Sequence, residues 1–168
     1  LVLWLLDFKR DGVFIEFGAT DGVDLSNTYL LEDKYGWSGI LAEPALIWHE
    51  KLRTNRKCVV DFHPISSSSG ELLDFFEAED ARFSVFGNIG SAQKSIKYTK
   101  SYSVRTKTLL DLIEENNLPN VIDYISIDTE GSEFDILNSF NFDKYAFRVL
   151  TVEHSNTTEQ DKIFKLLT

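Results

Sequence analysis

Apolar residues recur along this chain in short continuous runs, and each run is followed by a stretch with helical spacing. Val13–Phe17, Trp37–Glu43, Lys57–Phe62, Tyr124–Asp128 and Arg148–Glu153 have the length and β-branched or aromatic content of strands. Between and after them, Asp24–Tyr35, Leu46–Arg56, Thr106–Asn116, Ser132–Ser139 and Glu159–Leu167 read as helices. Gly36 ends the first of these. Lys51, Arg53, Arg56 and Lys57 lie toward the negative end of the second. Ser26 or Asp24 is the expected cap of the first, a threonine caps the third, and Ser132-x-x-Asp135 has the form of a capping box. Strand and helix thus alternate five times, which predicts an α/β domain with a mostly parallel sheet and helices on both faces.

Four stretches break this rhythm. Leu1–Phe8 reads as a helix or a packed extended arm, so 1–11 is expected to be an N-terminal arm. His63–Gly70 carries four consecutive serines and reads as a loop, and Leu72–Glu77 as a short strand-like or edge segment. Residues 80–103 show no period. They are rich in Ser, Gly, Asn and Lys, with Phe83, Phe86, Tyr98 and Tyr102 between, and are expected to form a substrate-facing insertion or lid.

Composition narrows the function. A chain of 168 residues is expected to form one domain with a sizeable core. Its 17 basic and 27 acidic residues give a net charge of −10, which argues against nucleic acid and for a neutral or small partner. Tyr98 and Tyr102 with their neighbouring lysines therefore read as a polar loop rather than a base-stacking platform. The single cysteine, Cys58, sits in an apolar run and makes no internal disulfide. Leu1–Leu6 is too short to span a bilayer and lacks the marks of a signal peptide, so a soluble, cytoplasmic protein is expected. The oligomeric state is not legible.

Ligands of open α/β sheets lie beyond the carboxyl ends of the strands. Those ends carry Glu16 with Gly18, then Glu43, Asp61 to His63, Asp128 to Glu130, and Glu153 with His154. Carboxylates clustered at one sheet edge repel one another, so their gathering points to a site. Glu16, near the end of a buried strand, needs a partner, and a cationic or amine-bearing ligand is one. Gly18 and Gly22 permit a tight turn and close backbone approach. Their spacing differs from the G-x-G-x-x-G of dinucleotide enzymes, which weakens the alternative of an NAD-dependent oxidoreductase. Glu43, 25 residues after Gly18, suits the two hydroxyls of a ribose. Asp128, Glu130 and Glu153 are the expected ligands if a divalent metal such as magnesium is used. His154 is a candidate general base. His63 reads as structural or as part of an adenine-side wall, and the sequon at Asn156 as incidental.

Taken together, Glu16-Phe-Gly-Ala-Thr-Asp-Gly22, Leu25-Ser-Asn-Thr28 and Gly36-Trp-Ser-Gly-Ile-Leu-Ala-Glu-Pro44 resemble the FkbM-type methyltransferases. So do Val104 to Leu112, Ile127-Asp-Thr-Glu-Gly-Ser-Glu133 and Val152-Glu-His154. The resemblance runs from Gly12 onward. It implies the Rossmann-like class I fold, a three-layer αβα sandwich, with this stretch lacking the last two strands. It implies S-adenosyl-L-methionine as cofactor and O-methylation of a hydroxyl on a sugar, glycan or related small molecule. On these motifs Glu16, Gly18 and Gly22 shape the methionine-side pocket, Glu43 falls to the ribose, and Ile65 and Ser66 lie near the adenine. Ala19, Asp21, Asn27, Pro44 and Asp128 are further expected cofactor-binding residues. Asp128, Glu130 and His154 face the methyl group and acceptor. Some proteins similar to this family serve as scaffolds instead, and a non-catalytic binding module is the alternative reading.

Overall fold

The fold comes from a computed structural model, which describes residues 1–80, 84–86, 96–129, 131–154 and 157–168. Its centre is five parallel strands: β1 (Val13–Phe17), β2 (Ser38–Ala42), β3 (Val59–Asp61), β7 (Val121–Ile127) and β8 (Ala146–Val152). Their spatial order is β3-β2-β1-β7-β8, so the chain winds one way from β1 and then crosses to the other side of it. Glu16 stands opposite Leu41 on β2 and Ser126 on β7. The reversal of strand order between β1 and β7 makes the loops after these strands diverge, and that opening is where such sheets take ligands.

Among the described residues six helices cover the sheet: α1 (Val2–Leu5), α2 (Tyr29–Tyr35), α3 (His49–Asn55), α4 (Leu109–Glu115), α5 (Glu133–Asn138) and α6 (Thr157–Leu167). Alternation along β1 divides the core. Ile15 and Phe17 pack with Leu112 and Ile113 of α4, Ile136 of α5 and Ile163 of α6. Phe14 faces the other way and packs with Leu31 of α2, Leu52 of α3 and, at the margin, Val2 and Leu3 of α1. The result is the αβα Rossmann-like arrangement, with helices that are short. Burying Ile15, Ile40, Leu112, Ile113 and Ile125 completely contributes about 1.5–3 kcal/mol each.

The insertion differs from the sequence expectation. Leu72–Ala78 is a strand, β4, as one of the two readings has it, and it is the middle strand of a second, antiparallel sheet rather than an edge. Its neighbours are β5 (Val85–Phe86) and β6 (Tyr98–Arg105), so the end of the 80–103 stretch is strand. Tyr98, Tyr102 and Val104 are half-buried and their neighbours exposed, a one-sided strand whose polar face masks its period. Residues 81–83 and 87–95 of that stretch lie outside the described residues.

Local boundaries also move for physical reasons. The helix expected from Asp24 begins at Tyr29, because Leu25 adopts φ +64 and breaks the helical run. Ser26 still serves its start, accepting from the Tyr29 N–H at 3.2 Å. The threonine cap is Thr108, whose hydroxyl accepts from Asp111 N–H at 3.1 Å. Ser132 makes no capping bond to α5. Its hydroxyl donates to Thr129 Oγ1 at 2.8 Å. The stretch from Leu46 opens as a 3-10 turn, Leu46–Trp48, before α3.

Candidate functional site

The site is built outward from β1. Gly18 follows it with φ +74, and a Cβ there would stand 2.3 Å from the carbonyl oxygen of Asp128. Only glycine lets the loops after β1 and β7 touch at this point. Gly22 has φ +84 and closes a turn onto the Ala19 carbonyl at 2.8 Å. Between them Thr20 holds φ +49, which is unusual for a β-branched residue. It is fixed from both sides, its N–H donating to Glu43 Oε2 at 3.1 Å and its hydroxyl to the Asp24 carbonyl at 2.7 Å. Asp21 shapes the next turn, its Oδ1 accepting from the N–H groups of Val23 and Asp24. Ala19 is buried against the α2 and α3 side of the core.

Glu16 has its partners inside the chain, which corrects the expectation that a cationic ligand supplies them. Ser26 Oγ donates to its Oε2 at 2.8 Å, the Thr28 hydroxyl donates to the same oxygen, and Asn27 N–H donates to Oε1 at 2.6 Å. Arg56, whose side chain is fully buried, stands 3.8 Å from the same carboxylate. Its guanidinium also donates to Glu32 at 2.7 Å, to the Gly22 carbonyl and to the hydroxyls of Ser26 and Thr28. Buried charge is tolerable when paired and hydrogen-bonded in this way. The outcome is a rigid 26–28 loop that sends Asn27 across to β7, where its Nδ2 donates to Ser126 Oγ at 3.0 Å.

Glu43 ends β2 beside this loop and is 6% exposed. Its two oxygens accept from Thr20 N–H and, at 2.9 Å, from Ala45 N–H. Burial pushes its carboxyl up to about 7, although the Ala45 and Thr20 amides favour the charged form. The negative charge of Glu16 adds to the rise. Pro44 and Leu46 after it meet the second sheet, since Tyr102 Oη accepts from Leu46 N–H at 3.0 Å and reaches buried Glu77 at 3.2 Å. At the end of β3, burial works to raise Asp61, and bonds from Lys107 and His63 outweigh it and hold it below the usual range. Ile65 is buried in the core beneath α4, and Ser66 N–H donates to the Lys107 carbonyl at 2.9 Å.

Beyond β7 and β8 the fold brings Asp128, Glu133 and Glu153 together, with one oxygen of each within 4.8 Å of the others. Asp128 and Glu153 are exposed, whereas Glu133 is buried. Glu133 Oε1 already accepts from Thr129 N–H and Oγ1 and from Gly131 N–H, so it organises the loop. In the sequence Glu133 is one of three acids between residues 128 and 133, readable as a metal-binding group or as a helix N-terminal acid. Its reach back over a glycine with φ +121 is a tertiary feature. Glu130 lies outside the described residues, and His154 is exposed directly after Glu153.

The opening between β1 and β7, beyond the carboxyl ends of the strands, is where a sheet of this kind takes a ligand. The glycine at 18 brings the loop after β1 against the Asp128 carbonyl, and the buried Glu43 carboxylate at the neighbouring strand tip is held by the Thr20 and Ala45 amides. No helix among the described residues is long and apolar enough to cross a membrane. No curated protein and no solved structure matches the chain. Residues 16–167 match the family described as Methyltransferase FkbM domain. With the parallel sheet, the switch-point opening and a match over nearly its whole length, the chain belongs to the FkbM methyltransferase domain family.

Proposed function

We propose that this protein is an S-adenosylmethionine-dependent O-methyltransferase acting on a hydroxyl of a sugar, glycan or related small molecule. The observation that carries the reading is the convergence of the Gly18 loop, buried Glu43 and the Asp128 carbonyl at the switch point of a methyltransferase-family sheet. In this reading Gly18, Ala19, Asp21, Gly22 and Asn27 frame the methionine side. Glu43 and Pro44 take the ribose, and the stretch around Ser66 takes the adenine. S-adenosylmethionine, when bound, supplies a methyl group made electrophilic by its own sulfonium. The residues of this chain align the acceptor hydroxyl, exclude water and receive its proton. His154 is the proposed base, and Asp128 and Glu130 orient it or hold the hydroxyl. A magnesium ion on the strand-end acids would instead lower the hydroxyl's pKa, a variant separated by assaying with and without the metal.

The test is transfer of labelled methyl from S-adenosylmethionine to a panel of hydroxylated acceptors by wild type and His154→Ala. The expected result is turnover reduced about 100-fold or more, within the range of general base catalysis, with cofactor affinity unchanged. Undiminished turnover in His154→Ala removes that residue from the role. No transfer to any acceptor despite tight cofactor binding leaves a binding module.

A further inference from the structure

A cleft of about 440 Å³ opens over β7 and β8, on the face shared with α1 and α2. Its two sides differ in chemistry. One wall is aliphatic, with Leu3 from α1 and Leu30 and Leu31 from α2. The floor is a row of hydrogen-bonded side chains. Asn27 Nδ2 donates to Ser126 Oγ at 3.0 Å, Thr151 Oγ1 reaches Ser126 Oγ at 3.4 Å, and Tyr124 Oη bonds Thr151 Oγ1 at 2.8 Å. Buried positions on a sheet face are filled more cheaply by aliphatic residues, so a polar row at this place needs a reason beyond the fold. At one end the cleft reaches Asp128 and Glu153, two of the clustered acids.

We infer that this cleft takes the methyl acceptor, and that the acceptor is an uncharged or cationic hydroxylated molecule carrying an apolar portion. The inference rests on the proposed methyl transfer and adds the substrate class. The volume suits a small molecule, with few polar groups to orient it and apolar surface to hold it. The polar row meets the hydroxyl-bearing end, and the leucine wall meets the apolar end. Asp128 and Glu153 repel an acidic acceptor, so uronic acids and phosphorylated sugars are excluded. The second sheet, by contrast, touches the chain at Pro44 and Leu46 beside Glu43. It therefore stands on the cofactor side, and the arm and α2 wall the acceptor.

The probe pair is n-octyl β-D-glucopyranoside, below its micellar concentration, and methyl β-D-glucopyranoside, which share a sugar and differ in the alkyl chain. Binding is read by ligand-detected NMR on wild type and on Leu30→Asp, and S-adenosylhomocysteine binding is measured on both. Leu30 is 51% exposed, so the substitution leaves the core intact, and a thermal melt checks this. The expected result is binding of the octyl glucoside at least tenfold tighter than of the methyl glucoside, lost at least tenfold in Leu30→Asp. S-adenosylhomocysteine affinity stays within twofold. Equal binding of the two glucosides, no binding of either, or octyl glucoside binding untouched in Leu30→Asp overturns the inference. Failure of S-adenosylhomocysteine to bind wild type overturns the proposed function instead, and with it the assignment of the cleft to a methyl acceptor.

Discussion

Replacing Arg56 with Met removes the cation that makes the buried Glu16 carboxylate tolerable. The guanidinium is fully buried and donates to Glu32 Oε2, the Gly22 carbonyl, Ser26 Oγ and Thr28 Oγ1, while standing 3.8 Å from Glu16. Methionine keeps most of the aliphatic volume, so the loss is electrostatic rather than a cavity. Removing one member of a buried pair costs about 3–5 kcal/mol, because the remaining charge stays out of water. For a domain of this length each kcal/mol shifts Tm by about 2–4 °C, so Arg56→Met is expected to melt roughly 6–20 °C lower. Glu16→Gln keeps an oxygen for part of the 26–28 loop and leaves Arg56 paired with Glu32, so it costs less. In the double variant Arg56→Met/Glu16→Gln, part of the loss is expected to be recovered, with a coupling above about 1 kcal/mol. Thermal melts and urea titrations of the four proteins measure this. A fall in Tm below about 2 °C for Arg56→Met, or strictly additive effects, refutes the assignment of Arg56 as the internal partner of Glu16.

Two further predictions concern the same edge of the sheet. Glu43 is held up to about 7 against an ordinary value of 4.5, chiefly by burial. The folded state therefore binds more protons than the unfolded state between these values, and stability falls as pH rises through that window. The wild type is expected to lose about 3 kcal/mol relative to Glu43→Gln between pH 4.5 and 8, read from urea melts across the range. A difference that stays flat with pH contradicts the burial of an ionising carboxyl. Gly18→Ala pairs a φ of +74 with a Cβ 2.3 Å from the Asp128 carbonyl. The left-handed conformation alone costs about 1–2 kcal/mol. The variant should melt lower than that cost predicts, with amide shifts in NMR at Asp128 as well as at residue 18, and a wild-type melt refutes the contact.

The alternation of elements was readable because β1, β2 and β7 are buried on both faces and helices such as α4 show one apolar side. The tips of β1, β2 and β7 followed directly from those strands. Glu16 announced its need of a partner, yet Arg56 lies forty positions away, just past the end of α3, and its basic neighbours Arg53 and Lys57 look identical in sequence. Burial distinguishes the three, and burial is a tertiary property. β6 was hidden because only Tyr98, Tyr102 and Val104 mark its inner side and the exposed positions carry serine, lysine and arginine. Leu25 looked like a helical apolar position. Its φ of +64 reflects the pull of Glu16 on residues 26–28, which outweighs local propensity.

In the proposed function the switch point between β1 and β7 binds S-adenosylmethionine through Glu43. Calorimetric titration of S-adenosylhomocysteine into wild type and Glu43→Ala tests it most directly. The account predicts one site per chain with micromolar affinity, weakened at least about tenfold in a folded Glu43→Ala, the loss of about 1.4 kcal/mol or more. No heat of binding from a folded wild type, or equal affinity in the two proteins, contradicts it.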